Sequence, residues 1–395
     1  MTIQLLNMVG DGLLIVGTTM LIVSGGRADR DLPAFLVASS VSTVSALFGA
    51  SILLDSLSRR RTLMAIDMVR VAAAVSIAAY LYAPVTALAV LAGLLVGLSV
   101  AVYRPALNAY IGGTVPESNR RSANALRSLS SKISSIAGPA LAALLTSLGF
   151  GFLLPEIAGV LAAVSFVAFY VGPTGDRQQD GDQVQQEDRT SRFAGFRYVK
   201  SRPWILTIIA QGAIQIGLVS APMLVIVPMW LAAHDGADQY GYVVAIEAIG
   251  ATLAALALTR SGVAAPAWIA MPMLLLQAAV LLVIATGASS LWLYPSYFLL
   301  GVGMSVFGVL WIGALQDHVP DELLGRVLSI DELGNNVLST IGLVLAGVVV
   351  AAMSLASTAT VALVILVASV VAAVFVPGVV SLGQSTMRDE ASTTS

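Results

Sequence analysis

Two acidic side chains inside apolar segments are the residues best placed to do chemistry in this chain. Asp11 lies between Gly10 and Gly12 in the middle of one such segment, and Glu247 lies between Ile246 and Ala248 in another. An ionisable group in membrane hydrocarbon costs roughly 2.5–3.5 kcal/mol on insertion scales, so it is a functional candidate by default. A carboxylate there can bind and release a proton, which makes Asp11 and Glu247 the predicted proton-coupling residues. The alternative for each is a structural hydrogen bond inside a helix bundle, and for Glu247 also a position on a face exposed to the cytoplasm or to water.

Polar side chains in other apolar segments could line a cavity for a substrate. Gln211 and Gln215 are one helical turn apart and therefore share a face. Arg104, just before Pro105, is predicted either to neutralise a carboxylate in the cavity or to extend to the membrane interface. The predicted cavity residues are Arg104, Asn108, Gln211, Gln215, Asn335 and Asn336.

The composition argues against several classes of protein. The chain has no cysteine and two histidines, and we find no pattern of nucleophile and base or of metal ligands in it, so we predict neither an enzyme nor a metal or cofactor site. The net charge of -2 gives no indication of nucleic-acid binding.

The elements that carry these residues are predicted to be membrane-spanning helices. Hydrophobic residues make up 57% of the 395 residues and charged residues 11%, and the mean hydropathy is +0.90. Apolar stretches of about 20 residues recur, which is the length that crosses the hydrocarbon core, and the backbone can satisfy its hydrogen bonds there as a helix. Twelve spans are predicted, at 3–23, 34–54, 62–82, 86–112, 125–148, 152–172, 204–232, 240–259, 266–287, 290–314, 327–352 and 356–379.

The distribution of Lys and Arg predicts the orientation. If the spans alternate, nearly all basic residues in or near the loops fall on one side. They include Arg59 to Arg61 and Arg70 around the loop between the second and third spans, and the basic residues of the central loop. The other side has Arg27 and Arg30, which are offset by neighbouring acids. The positive-inside rule then places both termini in the cytoplasm of a multi-pass protein of the cell (inner) membrane.

A polar central segment divides the chain into two halves. Residues 173–203 are rich in Gln and Asp and are predicted to form a cytoplasmic linker that leads into an amphipathic helix, with Phe193, Phe196 and Tyr198 on the membrane interface. The predicted domains are a six-helix bundle at 1–172, a second at 204–380, and a cytoplasmic tail at 381–395.

An internal repeat supports this division. A shift of 204 residues places the segment from Val115 on the segment from Val319, and it matches Gly138 with Gly342. The same shift places Asp11 on Gln215. Because an even number of spans separates the copies, the repeat is parallel.

These features together resemble the major facilitator superfamily, and most of all its macrolide-efflux and enterobactin-exporter-like branch. The resemblance covers essentially the whole chain and is carried by short motifs, which are Gly10-Asp11-Gly12, Asp55 with Arg59 to Arg61 followed by Asp67 and Arg70, Tyr103-Arg104-Pro105-Ala106, Asn124-Ala125-Leu126, Gly138-Pro139-Ala140 and Gly325-Arg326-Val327. It implies an all-α membrane protein of twelve helices in two six-helix bundles, acting as a monomer.

The resemblance also implies a cytoplasmic gate. The loop motif of the family runs Gly-x-x-x-Asp-Arg-x-x-Arg-Arg, and here Ser51 and Ser56 replace its glycine and first arginine. Its aspartate faces the N-terminus of helix 11, where an acid is stabilised by the helix dipole. The implied gate residues are Asp55, Arg59, Arg60, Arg326 and Asp331.

The leading hypothesis is a proton-coupled exporter of a drug-like compound or secondary metabolite. Gly138-Pro139 resembles the antiporter motif of drug exporters, although Ala142 and Ala143 stand where that motif prefers glycines. The expected partners are a small-molecule substrate, protons and the lipid bilayer, with no nucleic acid. The alternatives are an importer or uniporter of a small metabolite or siderophore, and a transport-inactive membrane sensor.

Overall fold

The computed structural model describes residues 2–56, 58–114, 134, 136–171, 194–234, 236–260 and 267–383, and every regular element within them is a helix. Ten helical segments in this part of the chain are long and apolar enough to cross a membrane. They coincide with ten predicted spans. Helix Ala28–Ser56 coincides with the second span, and helix Ile136–Ser147 lies within the fifth.

The chain forms two compact units, of which the first comprises Met1–Gly181 and Val227–Ala245. Its first span consists of the helices Thr2–Gly12 and Thr18–Ser24, joined by a π-helix at Leu13–Gly17. The helices up to the central segment are α1 (Thr2–Gly12), α2 (Thr18–Ser24), α3 (Ala28–Ser56), α4 (Arg59–Tyr82), α5 (Thr86–Thr114), α6 (Ile136–Ser147) and α7 (Leu154–Val171).

The second unit comprises Asp182–Ile226 and Ile246–Ser395, so the division falls inside the helices Ala221–Ala232 and Gln239–Arg260. A π-helix at Ile216–Ser220 joins the helix Pro203–Gln215 to the helix Ala221–Ala232. The remaining helices are α8 (Ala194–Ser201), α9 (Pro203–Gln215), α10 (Ala221–Ala232), α11 (Gln239–Arg260), α12 (Ala270–Leu274), α13 (Ala278–Thr286), α14 (Leu293–His318), α15 (Asp321–Ala352) and α16 (Leu355–Val374).

Glycines allow helices to pack closely in both units. In the first unit, a methyl group on Gly97 of α5 would overlap the carbonyl oxygen of Ser39 of α3. In the second unit, a methyl group on Gly301 of α14 would overlap the carbonyl oxygen of Glu247 of α11. Small residues at helix contacts let backbones approach closely in membrane proteins, where dispersion forces replace the hydrophobic effect.

The two units share local features at the spacing of the sequence repeat. Gly97 and Gly301 are 204 residues apart, and the two π-helices are displaced by 203 residues. Gly12, just before the first π-helix, lies against Gly138, and Gly217, within the second π-helix, lies against Gly342. The two copies of the 204-residue repeat therefore form similar glycine contacts between helices in each unit.

The amphipathic helix predicted after the central segment is present as α8. Gly195 and Val199 of α8 are buried, whereas Phe196 is 57% exposed. Tyr198 donates a hydrogen bond to the backbone carbonyl of His318 (2.6 Å). Phe193 lies outside the described residues.

Candidate functional site

An ion pair between the first and third spans holds Asp11. The Arg70 guanidinium of α4 donates from Nε to Asp11 Oδ1 (2.9 Å) and from Nη2 to Asp11 Oδ2 (2.8 Å). Two parallel hydrogen bonds of this kind fix the geometry of both side chains. Asp11 is the penultimate residue of α1, immediately before the π-helix, so a local departure from α-helical geometry accompanies the ion pair.

A second carboxylate shares the same guanidinium. Arg70 Nη1 donates to Asp67 Oδ1 at 3.2 Å, and the two residues lie one turn apart on α4. The hydroxyl of Ser165 on α7 donates to Asp67 Oδ2 at 2.6 Å. The side chains of Asp67 and Arg70 are 0% and 2% exposed, whereas that of Asp11 is 19% exposed.

Neutral polar groups complete the surroundings of these charges. Asn7 on α1 donates from Nδ2 to Ser165 Oγ (2.7 Å) and to the hydroxyl of Tyr103 on α5 (3.1 Å). The Arg70 guanidinium carbon lies 4.2 Å from the centre of the Tyr103 ring, which is cation–π distance. We call this set the N-terminal charged cluster, which consists of Asn7, Asp11, Asp67, Arg70, Tyr103 and Ser165.

The N-terminal charged cluster carries more negative than positive charge. Among the described side chains, two carboxylates face one guanidinium. With both acids ionised, one negative charge is left uncompensated in a site that water hardly reaches, and a buried unpaired charge is costly. Binding one proton removes the excess charge, so the geometry suits a site that takes up and releases a single proton.

The cluster corrects the interpretation of Arg70 as a loop cation. Arg70 lies in the middle of α4 and is 1% exposed, because its guanidinium is neutralised by Asp11 and Asp67 instead of by water. The proposed partner role of Arg104 stays a prediction, since its side chain lies outside the described residues. Sequence reasoning also missed Asn7 and Ser165 as site residues. The sequence did contain one signal for a buried charged site on this helix, because Asp67 and Arg70 are spaced i, i+3 inside an apolar segment.

Glu247, the other predicted coupling residue, has a different environment. It is half-buried on α11, and no side chain in the described part of the chain donates a hydrogen bond to its carboxylate or pairs with it. Its backbone carbonyl lies at the contact with Gly301. Glu247 therefore remains a candidate proton site without an observed counter-charge.

In the second unit, a chain of neutral amides occupies the region that matches Asp11 by sequence. Gln211 donates to Gln215 (2.8 Å), Gln215 donates to Gln277 (2.7 Å), and Gln277 donates to the hydroxyl of Ser220 (2.9 Å). The three glutamine side chains are 1–3% exposed. The structure thus brings two predicted cavity residues, Gln211 and Gln215, into one buried network.

Asp331 and Asn335, predicted as gate and cavity residues, are in direct contact on α15. Asn335 Nδ2 donates to Asp331 Oδ1 (3.2 Å), and Trp311 Nε1 of α14 donates to Asp331 Oδ2 (3.0 Å). Asn336 instead donates to the backbone carbonyl of Glu332 (2.8 Å), which is a local contact within the helix. Asp331 and Asn335 therefore form one site, and Asn336 is not part of it.

The other predicted residues are described to different extents. Arg60 donates a hydrogen bond to the carbonyl of Tyr170, and Arg326 lines a cavity of about 570 Å³ beside α8. Gly138 and Pro139 pack on the first span, where a methyl group on Gly12 would lie 3.0 Å from Gly138 Cα and 3.3 Å from Pro139 Cδ. Three predicted side chains, those of Asp55, Arg59 and Asn108, lie outside the described residues.

Comparison with known proteins adds the family and the fold. The sequence profile of the Major Facilitator Superfamily matches residues 3–342, and no curated protein matches the chain. The crystal structure of the nucleoside transporter NupG superposes with a TM-score of 0.68 at 15% identity, covering 94% of this chain and 98% of that chain. A D-xylose-proton symporter gives 0.68 at 15% identity, covering 94% and 96%. A bacterial homologue of the iron transporter ferroportin gives 0.65 at 14% identity, covering 94% and 96%.

Proposed function

Because the chain belongs to the Major Facilitator Superfamily, we propose that it is a proton-coupled exporter of a drug-like compound or secondary metabolite that works by alternating access. The chain is a multi-pass membrane transporter and not an enzyme. Proton coupling, the direction of transport and the class of substrate are the parts that go beyond the family.

The N-terminal charged cluster is the observation that carries the proposal of proton coupling. Asp11 and Asp67 share the single guanidinium of Arg70, and Asp67 is fully buried. A transporter that exchanges a proton for its substrate needs a group whose charge can be neutralised inside the membrane. Intramembrane acids paired with a basic residue are the usual markers of such proton pathways.

In this scheme the N-terminal charged cluster alternates between a protonated and a deprotonated state. With a proton on the cluster, the charges of two acids and one guanidinium balance, and the site is stable in a dry interior. Without it, the excess negative charge favours any conformation that admits water or a compensating cation, because the desolvation cost is then relieved. Alternating access would therefore be coupled to protonation through the cost of burying one charge.

The proposal of export depends on the contact between the first and fifth spans. Gly138 and Pro139 resemble the antiporter motif of drug exporters, and they pack directly on Gly12, one residue from Asp11. This places the motif next to the proposed proton site. Import by symport is the alternative, and a D-xylose-proton symporter is among the proteins with a similar fold.

The experiment that tests the proposal is transport in everted membrane vesicles. A panel of labelled drug-like compounds and metabolites is offered with an imposed proton gradient and again after the gradient is collapsed by an ionophore. We expect at least one compound to accumulate in the vesicles with the gradient and to equilibrate without it. Accumulation in right-side-out vesicles would reverse the assigned direction, and gradient-independent movement of every compound would refute proton coupling.

A further inference from the structure

Asp331 is an intramembrane carboxylate with no basic partner among the residues that the structure describes. It lies in α15, within the membrane-spanning segment Glu322–Val350. Its two oxygens accept hydrogen bonds from neutral donors, the Trp311 indole and the Asn335 amide. In contrast to Asp11 and Asp67, which both contact Arg70, Asp331 forms no ion pair with any described residue. Asp331 is half-buried, and among the described side chains the groups that contact its carboxylate are two neutral hydrogen-bond donors.

Two buried amide oxygens, one on α15 and one on the neighbouring helix α9, also have no donor among the described residues. Asn335 Oδ1 and Gln211 Oε1 are both buried and have no hydrogen-bond partner, and the Gln211 side chain is 3% exposed. The two residues lie on facing helices, since Asn335 Oδ1 is 3.8 Å from the position where a side chain at Gly212 would begin. Buried polar atoms are nearly always satisfied, so unpartnered acceptors in a protein that binds ligands point to a ligand that supplies donors.

The orientation of these amides follows from their other contacts. Asn335 must point its nitrogen toward the Asp331 carboxylate, which accepts but cannot donate, and this leaves the Asn335 oxygen free. Gln211 donates its nitrogen to Gln215, which leaves the Gln211 oxygen free in the same way. The site therefore offers one negative charge and two unpartnered carbonyl oxygens. We call these three residues the acceptor cluster.

Aromatic rings border the acceptor cluster. Trp311, which binds Asp331, packs edge to face against Trp204 of α9, with ring centroids 6.2 Å apart and planes at 88°. Both indoles are nearly buried. Apolar aromatic surroundings suit an organic cation, whereas hard metal cations such as Ca²⁺ and Mg²⁺ take about six or more oxygen ligands, which is more than this cluster provides.

We propose that the acceptor cluster binds the ammonium group of an organic amine and that the transported substrates are aromatic or hydrophobic amines in their protonated form. The carboxylate of Asp331 supplies the counter-charge, and the oxygens of Asn335 and Gln211 accept the N–H donors. This inference rests on the proposed transport function and specifies its substrate class. It separates the substrate site in the second unit from the proton site in the first.

A pair of fluorescent compounds tests this assignment in the purified full-length protein. Dansylcadaverine carries a primary ammonium, and its N-acetyl derivative has the same dansyl group and chain without the charge. Binding is followed at equilibrium by dansyl fluorescence. We expect the wild type to bind dansylcadaverine and to bind the N-acetyl derivative at least about tenfold more weakly, because a charge-assisted hydrogen bond is lost.

Variants of neighbouring acids provide the matched comparison. Asp331→Asn should raise the Kd for dansylcadaverine at least about tenfold, whereas Glu332→Gln, at the exposed next residue, should change it less than about twofold. Asn335→Ala keeps the carboxylate and should raise the Kd about threefold to tenfold, which tests the site if Asp331→Asn does not fold. Equal binding of the two dansyl compounds, or unchanged affinity in both Asp331→Asn and Asn335→Ala, would overturn the proposal.

The same assay separates this inference from the proposed function. Displacement of dansylcadaverine by Na⁺ but not by a second organic amine would assign the acceptor cluster to an inorganic cation and refute the proposal. If the wild type binds no amine but still accumulates a neutral compound in a proton gradient, the substrate class is wrong and proton-coupled transport stands. If it binds amines at equilibrium and no compound responds to the gradient, proton coupling is wrong and the acceptor cluster stands.

Discussion

At the scale of residues, Asp11 and Asp67 differ in how well the shared guanidinium neutralises them. Asp11 receives two hydrogen bonds from Arg70 at 2.8 and 2.9 Å, whereas Asp67 receives one at 3.2 Å. A proton on Asp67 leaves the two-pronged Asp11–Arg70 pair intact. A proton on Asp11 would sacrifice that stronger pair. We therefore propose that Asp67, and not the predicted Asp11, carries the proton, and that Asp11 is the fixed partner of Arg70.

Replacement of Asp67 should separate exchange from accumulation. We expect Asp67→Asn, which imitates the protonated acid, to exchange substrate across vesicle membranes but to lose gradient-driven accumulation by at least about tenfold. Asp11→Asn should in addition lower the thermal stability of the protein, because it breaks the buried ion pair with Arg70 and such a loss costs about 3–5 kcal/mol. Counterflow and uphill uptake in the same vesicles are the measurements.

Two further acids serve as comparisons for Asp67. Glu156 is exposed at the start of α7, so Glu156→Gln should transport like the wild type. Glu247→Gln should also keep its accumulation if the N-terminal charged cluster carries the proton. Normal accumulation in Asp67→Asn together with loss in Glu247→Gln would move the proton site to α11.

At the scale of helices, glycine contacts set how closely the spans approach. Gly301 of α14 faces the backbone of α11, and Gly308 lies on the same helix with open space around it. Both residues have ordinary helical conformations, so they differ only in what a side chain would meet. They provide a test of packing within one helix.

A methyl group should have opposite effects at these two positions. Gly301→Ala forces α11 and α14 apart and should destabilise the protein by about 1–3 kcal/mol, since overpacking a close contact costs this much. Gly308→Ala should be neutral or stabilising by up to about 1 kcal/mol, because alanine favours a helix over glycine. Thermal unfolding in detergent measures both. Equal melting temperatures for the two variants would contradict a close contact between α11 and α14.

At the scale of the whole molecule, the basic residues predict the orientation in the membrane. The charge asymmetry of the loops predicts that both termini lie in the cytoplasm, and the positive-inside rule is the physical basis. Because Arg70 is now part of the buried cluster, this argument depends on the remaining loop residues, which still favour the same side. The absence of cysteine allows the orientation to be tested without background labelling.

Single cysteines at two exposed positions should react from opposite sides. Ala83 lies between α4 and α5 on the predicted outer side, and Ser201 ends α8 on the predicted cytoplasmic side. A membrane-impermeant maleimide should label Ala83→Cys in intact cells and should label Ser201→Cys only after permeabilisation. The reverse pattern would invert the topology, and labelling of both in intact cells would contradict the alternation of spans.

The sequence by itself determined the helices of this protein and much of their internal repetition. A membrane imposes this result, since apolar segments of sufficient length can satisfy their backbone only as helices. The described part of the chain places a helix in all twelve predicted spans, and α8 follows the central segment as expected. Asp11, Gln211, Asp331 and other intramembrane polar residues could likewise be identified from the sequence, because they are rare in such surroundings.

Only the tertiary structure decided which of these polar residues meet. Arg70 neutralises Asp11 across 59 positions of sequence, and Ser165 reaches Asp67 across 98. The π-helices beside Asp11 and Gln215 were not predicted either, because the sequence pattern does not distinguish one additional residue in a turn. Such contacts depend on the direction of each side chain and on the rotation of each helix against its neighbours. The rotation of each helix is fixed by many small packing contacts with its neighbours. The sequence pattern shows that the residues in these contacts are apolar, but it does not show which residues contact each other.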